Sequence, residues 1–104
     1  AKGGAGSGNN KLALAADPTG QLKYDPTKLN ANVGNIAIVL TNDSAVPHDV
    51  AVKGSDGKSL GTSKEITKSE TTLALKNVKA GSYTFFCTVP GHEQAGMKGT
   101  LTVR

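Results

Sequence analysis

From residue 11 onward, apolar residues recur in short bursts that alternate with polar ones and stop at turn residues. Leu12, Leu14 and Ala16 occupy every second position, the spacing that puts side chains on one face of a strand. Asp17-Pro18-Thr19-Gly20 then supplies a turn, and residues 22–24 predict a short pairing before Asp25-Pro26. Residues 35–42 are almost continuously apolar, which predicts a strand covered on both faces. Residues 48–53 predict another, ended by Gly54 and a Ser55-Asp56-Gly57 turn. Residues 71–78 alternate, Ala80-Gly81 turns, residues 82–87 are rich in strand formers, and 99–103 close the chain. Residues 63–69 suit one helical turn, but no long stretch has a helical period. The pattern predicts an all-β, antiparallel Greek-key β-sandwich of seven or eight strands over residues 11–104.

The first ten residues break this pattern. They are mostly Gly, Ala, Ser and Asn, a flexible-linker composition with nothing to bury. Residues 1–10 therefore read as a tether, to a membrane anchor or otherwise, or as a leftover of expression. No apolar run nears the roughly 20 residues that cross a bilayer, and the start lacks the basic-then-apolar pattern of a signal peptide.

The length of 104 residues suits one domain with one core. Aromatics are only 4% of the chain, so that core is built from aliphatic side chains. The formal charge of +4 favours an acidic partner or anionic surface. The lysines are scattered singly with no aromatic ladder among them, which argues against nucleic acid and for an ordinary solvated surface. One cysteine excludes an internal disulfide and leaves the redox compartment open.

Chemistry concentrates in residues 87–97, Cys-Thr-Val-Pro-Gly-His-Glu-Gln-Ala-Gly-Met. The segment holds the chain's only cysteine, its only methionine and one of its two histidines. Fully extended it would span about 33–36 Å, yet neighbouring strands lie about 4.8 Å apart. It must double back, and Pro90, Gly91 and Gly96 permit that. Thiolate, imidazole and thioether can then face one point. His48, after Pro47 at the start of a predicted strand, is the remaining imidazole and the candidate fourth ligand.

Taken singly, each residue has a plainer role: Met97 a gap-filler, Cys87 an inert thiol, and His48 or His92 an ordinary imidazole. Together those roles require four coincidences. His48, Cys87, His92 and Met97 instead make the donor set of a blue-copper electron-transfer site, with soft sulfur for Cu(I) and imidazole for both oxidation states. Structural zinc sites recruit more thiolates and no methionine. A Cys87/His92 nucleophile lacks an orienting residue and a helix start after the cysteine.

These residues resemble a known family. Tyr83-Thr84-Phe85-Phe86-Cys87 resembles the Tyr-x-Phe-x-Cys strand of plastocyanin, azurin and their relatives, the cupredoxins, and Pro47-His48-Asp49 is similar to the Pro-His-Asn corner of plastocyanin. Four residues separate Cys87 from His92 and four separate His92 from Met97, a spacing most like auracyanin and close to azurin. The resemblance implies no catalysis: a monomeric single-electron carrier outside the cytoplasm, one type 1 copper ion, and membrane-bound redox complexes, photosynthetic or respiratory, as partners. It also implies a copper near one end, with His92 reaching the surface through an apolar patch, and the small or apolar Val46, Pro47, Val89, Pro90, Gly91, Ala95 and Gly96 beside the candidate ligands agree with that. Asp49 and Thr88 each follow a ligand and are expected to hydrogen-bond to each other, with Asp standing where the family has Asn. Tyr83 is expected either to latch a loop or simply to bury its ring. Phe86 marks a second electron route or, more plainly, packs. Copper storage or delivery, and a domain cut from a larger copper oxidase or nitrite reductase, are the rival functions.

Overall fold

A computed structural model describes residues 10–104. Nine strands follow in order: β1 (Lys11–Ala16), β2 (Tyr24–Asp25), β3 (Lys28–Ala31), β4 (Gly34–Asn42), β5 (Ala51–Lys53), β6 (Ser59–Thr62), β7 (Ser69–Val78), β8 (Gly81–Phe86) and β9 (Lys98–Val103). They form two sheets, β2-β1-β4-β7 and β3-β9-β8-β5-β6, packed as a Greek-key β-sandwich. Nine exceeds the expected seven or eight; β3 and β6, four residues each, fall outside the predicted strands, β6 having no apolar alternation and β3 only the pair Leu29 and Ala31.

Both sheets are mixed. β1 runs parallel to β4 and β3 parallel to β9, whereas the remaining pairs are antiparallel. The expectation of a purely antiparallel sandwich is corrected here, because residue alternation fixes which face a side chain takes but not the direction of its neighbour. The predicted helical turn over 63–69 is absent. Ile66 instead bridges His48, its N–H donating to the His48 carbonyl at 2.8 Å, and Ser69 already belongs to β7.

The core lies between the sheets. Leu12 and Leu14 on β1, Ile36, Ile38 and Leu40 on β4, Leu73 and Leu75 on β7, Val52 on β5, Phe85 on β8 and Leu101 on β9 are all buried. The burial of β4 alternates, with Ala37 and Val39 half-buried on the outer face, so this strand is covered on one face and not on two. Its outward apolar residues are small and shielded laterally by β1 and β7, which is why an almost continuous apolar run tolerates solvent on one side.

Residues 1–9 of the expected linker lie outside the described residues. Asn10 is fastened, its amide donating to the carbonyls of Asn32 and Asn35 and accepting from the Asn32 N–H. Asn10, placed in the linker by the sequence pattern, is thus tied to the sandwich. Tyr83 does latch a turn: its hydroxyl donates to the Lys79 carbonyl at 2.7 Å.

Candidate metal centre

Strand pairing brings the four candidates to one end of the sandwich. β8 and β9 are antiparallel neighbours with Phe86 opposite Lys98, so the chain between them leaves and re-enters the sheet at adjacent points. The Cys87 N–H donates to the Met97 carbonyl at 3.2 Å and closes the loop at its base. Within it, His92 N–H bonds the Val89 carbonyl, Ala95 N–H the Gly91 and His92 carbonyls, and Met97 N–H the His92 carbonyl. Gly91 and Gly96, at φ of 84° and 110°, make the reversals that a side chain would strain.

His48 arrives from the other side. β5 pairs with β8 so that Ala51 faces Phe86, which carries the residues before β5 up beside Cys87. A buried polar latch shapes that approach. The Asn42 amide donates to the carbonyls of Val46 and Ile66 at 2.9 and 2.7 Å, and its oxygen accepts from the Ser44 N–H and hydroxyl. Since Ile66 also bridges His48, Asn42 fixes both sides of the segment that presents the imidazole.

The donor atoms of His48, Cys87 and His92 all lie within 4.8 Å of one another. The Cys87 sulfur is 4.0 Å from His48 Nδ1 and 3.4 Å from His92 Nδ1. His48 and Cys87 are buried, and His92 is half-buried with its ring edge-on to His48, centroids 5.1 Å apart. Met97 is fully buried at the far end of the loop. Its carbonyl belongs to the closing bond, and its side chain joins the core.

Burial, with the neighbouring His92 second, holds the His48 imidazole below its ordinary pKa, so the ring is neutral and keeps a lone pair for a metal. Its Nε2 is buried without a hydrogen-bond partner. Burial pushes the Cys87 thiol up, while the backbones of Asp49 and Val89 act in the opposite direction. The Nδ1 atoms of both imidazoles turn to one buried sulfur, a convergent nitrogen and sulfur donor set from two separate segments. Imidazole nitrogen with thiolate sulfur suits copper, so the residues present fit that metal.

Neighbouring residues hold the frame. Asp49 is buried and accepts from the Thr88 N–H at 2.7 Å and from the Thr88 hydroxyl, joining the two segments. A carboxylate serves here because both partners are donors. The Tyr24 hydroxyl donates to the Asp49 carbonyl, and its ring packs on Phe85 with centroids 5.5 Å apart. Burial raises the Tyr24 pKa far above the ordinary phenol range, so the hydroxyl remains a donor. Sequence reasoning missed Tyr24, Asn42 and Ser44 as parts of the site. Tyr24 carries no local signal, and Asn42-Asp43-Ser44 reads as an ordinary turn.

A family model for copper binding proteins, the plastocyanin/azurin family, matches residues 11–104. The chain belongs to that family. It is a copper protein of the electron-carrier kind and not an enzyme. Among relatives of this cupredoxin, plastocyanin from Scenedesmus fuscus is 28% identical over 99 residues, covering 89% of this chain and 97% of its own. Auracyanin from Roseiflexus castenholzii, in its dithionite-reduced form, superposes with a TM-score of 0.82 at 23% identity, covering 91% of this chain and 97% of that one. Auracyanin A from Chloroflexus aurantiacus, described as a "blue" copper protein, gives 0.79 at 23% identity, covering 90% and 98%. The likeness to auracyanin expected from the loop spacing is found at the level of the fold.

Proposed function

We propose that His48 Nδ1, Cys87 Sγ, His92 Nδ1 and the Met97 thioether hold one copper ion, and that this cupredoxin passes single electrons between membrane-bound redox complexes outside the cytoplasm. The observation that carries the reading is the meeting of two imidazole nitrogens on one buried sulfur. Bound copper supplies the one-electron Cu(II)/Cu(I) couple. The chain's own contribution is a site whose ligands come from a latched segment and a closed loop, so little has to rearrange between oxidation states.

His92 is the route to the surface. It is half-buried, whereas His48 and Cys87 are enclosed. Pro47, Pro90, Gly91, Ala95 and Gly96 are exposed around it, a rim of small and apolar groups for close approach of a partner. The protein acts as a monomer with no chemistry of its own.

Adding Cu(II) to the metal-free protein and then a reductant tests the site. An intense blue band that bleaches on reduction and returns on reoxidation is expected, and Cys87→Ser should abolish it, because the colour needs charge transfer from thiolate sulfur. A blue Cys87→Ser protein would refute the ligand set. A colourless wild type that yields copper readily to chelators would favour storage over electron transfer.

A further inference from the structure

The turn that carries His92 is held to the sandwich by remarkably little beyond the loop itself. Its backbone bonds run among residues 89–98, and the His92 contact to Cys87 is also internal to the loop. Among the described residues, one further side-chain bond reaches out of residues 91–96: Lys53 Nζ, at the end of β5, lies 2.7 Å from Glu93 Oε2. The same ammonium sits 4.4 Å from the centroid of the Phe86 ring. Phe86 ends β8 and precedes Cys87; Glu93 follows His92.

An exposed ion pair adds little, because water screens it and two long side chains lose freedom. This pair differs in two respects. Its side chains are 31% and 33% exposed, and the Lys53 stem is confined by the aromatic face, which removes part of the entropy cost and adds a cation–π attraction. One cation thus touches the residue before one candidate ligand and the residue after another.

We propose that Lys53 is a positioning residue for the metal centre, clasping the 91–96 turn to β5 through Glu93 and Phe86, and so holding the His92 imidazole on the sulfur and slowing metal loss. The clasp rests on the reading of His92 as a ligand only for its effect on the metal. Its effect on the turn is independent of that reading.

The variant Lys53→Met leaves an apolar stem over Phe86 and removes the charge. In metal-free protein, hydrogen exchange at the Ala95, Gly96 and Met97 amides should rise about fivefold, with β4 and β8 amides unchanged. In copper-loaded protein, extraction by a chelator should quicken by a similar factor. Glu93→Gln should reproduce both effects, the double variant should add little to either single one, and Lys53→Arg should restore wild-type behaviour. Unchanged exchange in the turn of Lys53→Met overturns the clasp. Faster exchange combined with wild-type copper release overturns its role at the metal. Whether His92 is a ligand is read separately, from uptake of imidazole by copper-loaded His92→Gly, so failure of that assignment cannot be mistaken for failure of the clasp.

Discussion

The two segments that meet at the Cys87 sulfur are built by opposite means. Residues 42–49 are clamped from within, with Asn42, Ser44, His48 and Asp49 all buried and bonded to Val46, Ile66, Thr88 and Tyr24. Residues 87–97 are tied mainly by their own turn bonds, and between buried Cys87 and Met97 they stay exposed or half-buried. One side anchors an imidazole in the protein interior. The other presents an imidazole to the outside on a small, self-closing loop. A carrier that must hold its metal firmly and still approach a partner needs both kinds of wall.

Replacing each histidine by glycine in turn breaks the comparison most directly. In copper-loaded His92→Gly, added imidazole should enter the opened position and change the visible spectrum, because that side faces solvent. His48→Gly should show no such recovery, because the vacated space is enclosed. Equal uptake by both variants would erase the distinction between the walls.

Stability provides the next test. Asn42→Ala takes one donor from each of the Val46 and Ile66 carbonyls and the acceptor from the Ser44 N–H, and should lower the unfolding free energy by about 3 kcal/mol in chemical denaturation. On the loop side, Gly91→Ala meets open space and suffers only from its φ of 84°, for a loss of about 1 kcal/mol. The reverse order would mean that the loop, not the latch, carries the stability of this end.

The smallest effect is electronic. Val89 keeps a backbone N–H which, with that of Asp49, holds the Cys87 thiol down against the effect of burial. Val89→Pro removes that donor, returns electron density to the thiolate and favours Cu(II). A charge-assisted hydrogen bond is worth roughly 1.5–3 kcal/mol, but only its difference between oxidation states counts. The reduction potential should therefore fall by something on the order of tens of millivolts, with the blue colour kept. Voltammetry at one pH decides it, and an equal or higher potential would show that the Val89 N–H does not tune the sulfur.

Much of this was legible in the chain itself, for a physical reason. The alternation of Leu12, Leu14 and Ala16, and of residues 71–78, is a local property of the strand, so the sheets could be anticipated from it. The candidate donor set stood out because Cys87, His92 and Met97 are rare residues crowded into one connection whose length forces it to fold back. What tertiary structure alone decided are the relations between segments distant in sequence. The parallel pairings of β1 with β4 and β3 with β9 leave no trace in either partner's pattern. Tyr24 reaches Asp49 across 25 positions, Asn42 reaches Ile66 across 24, and Lys53 reaches Glu93 across 40. Each is an ordinary polar residue until the sandwich closes, because a hydrogen bond depends on where two groups meet in space, and only the packed sheets bring these together.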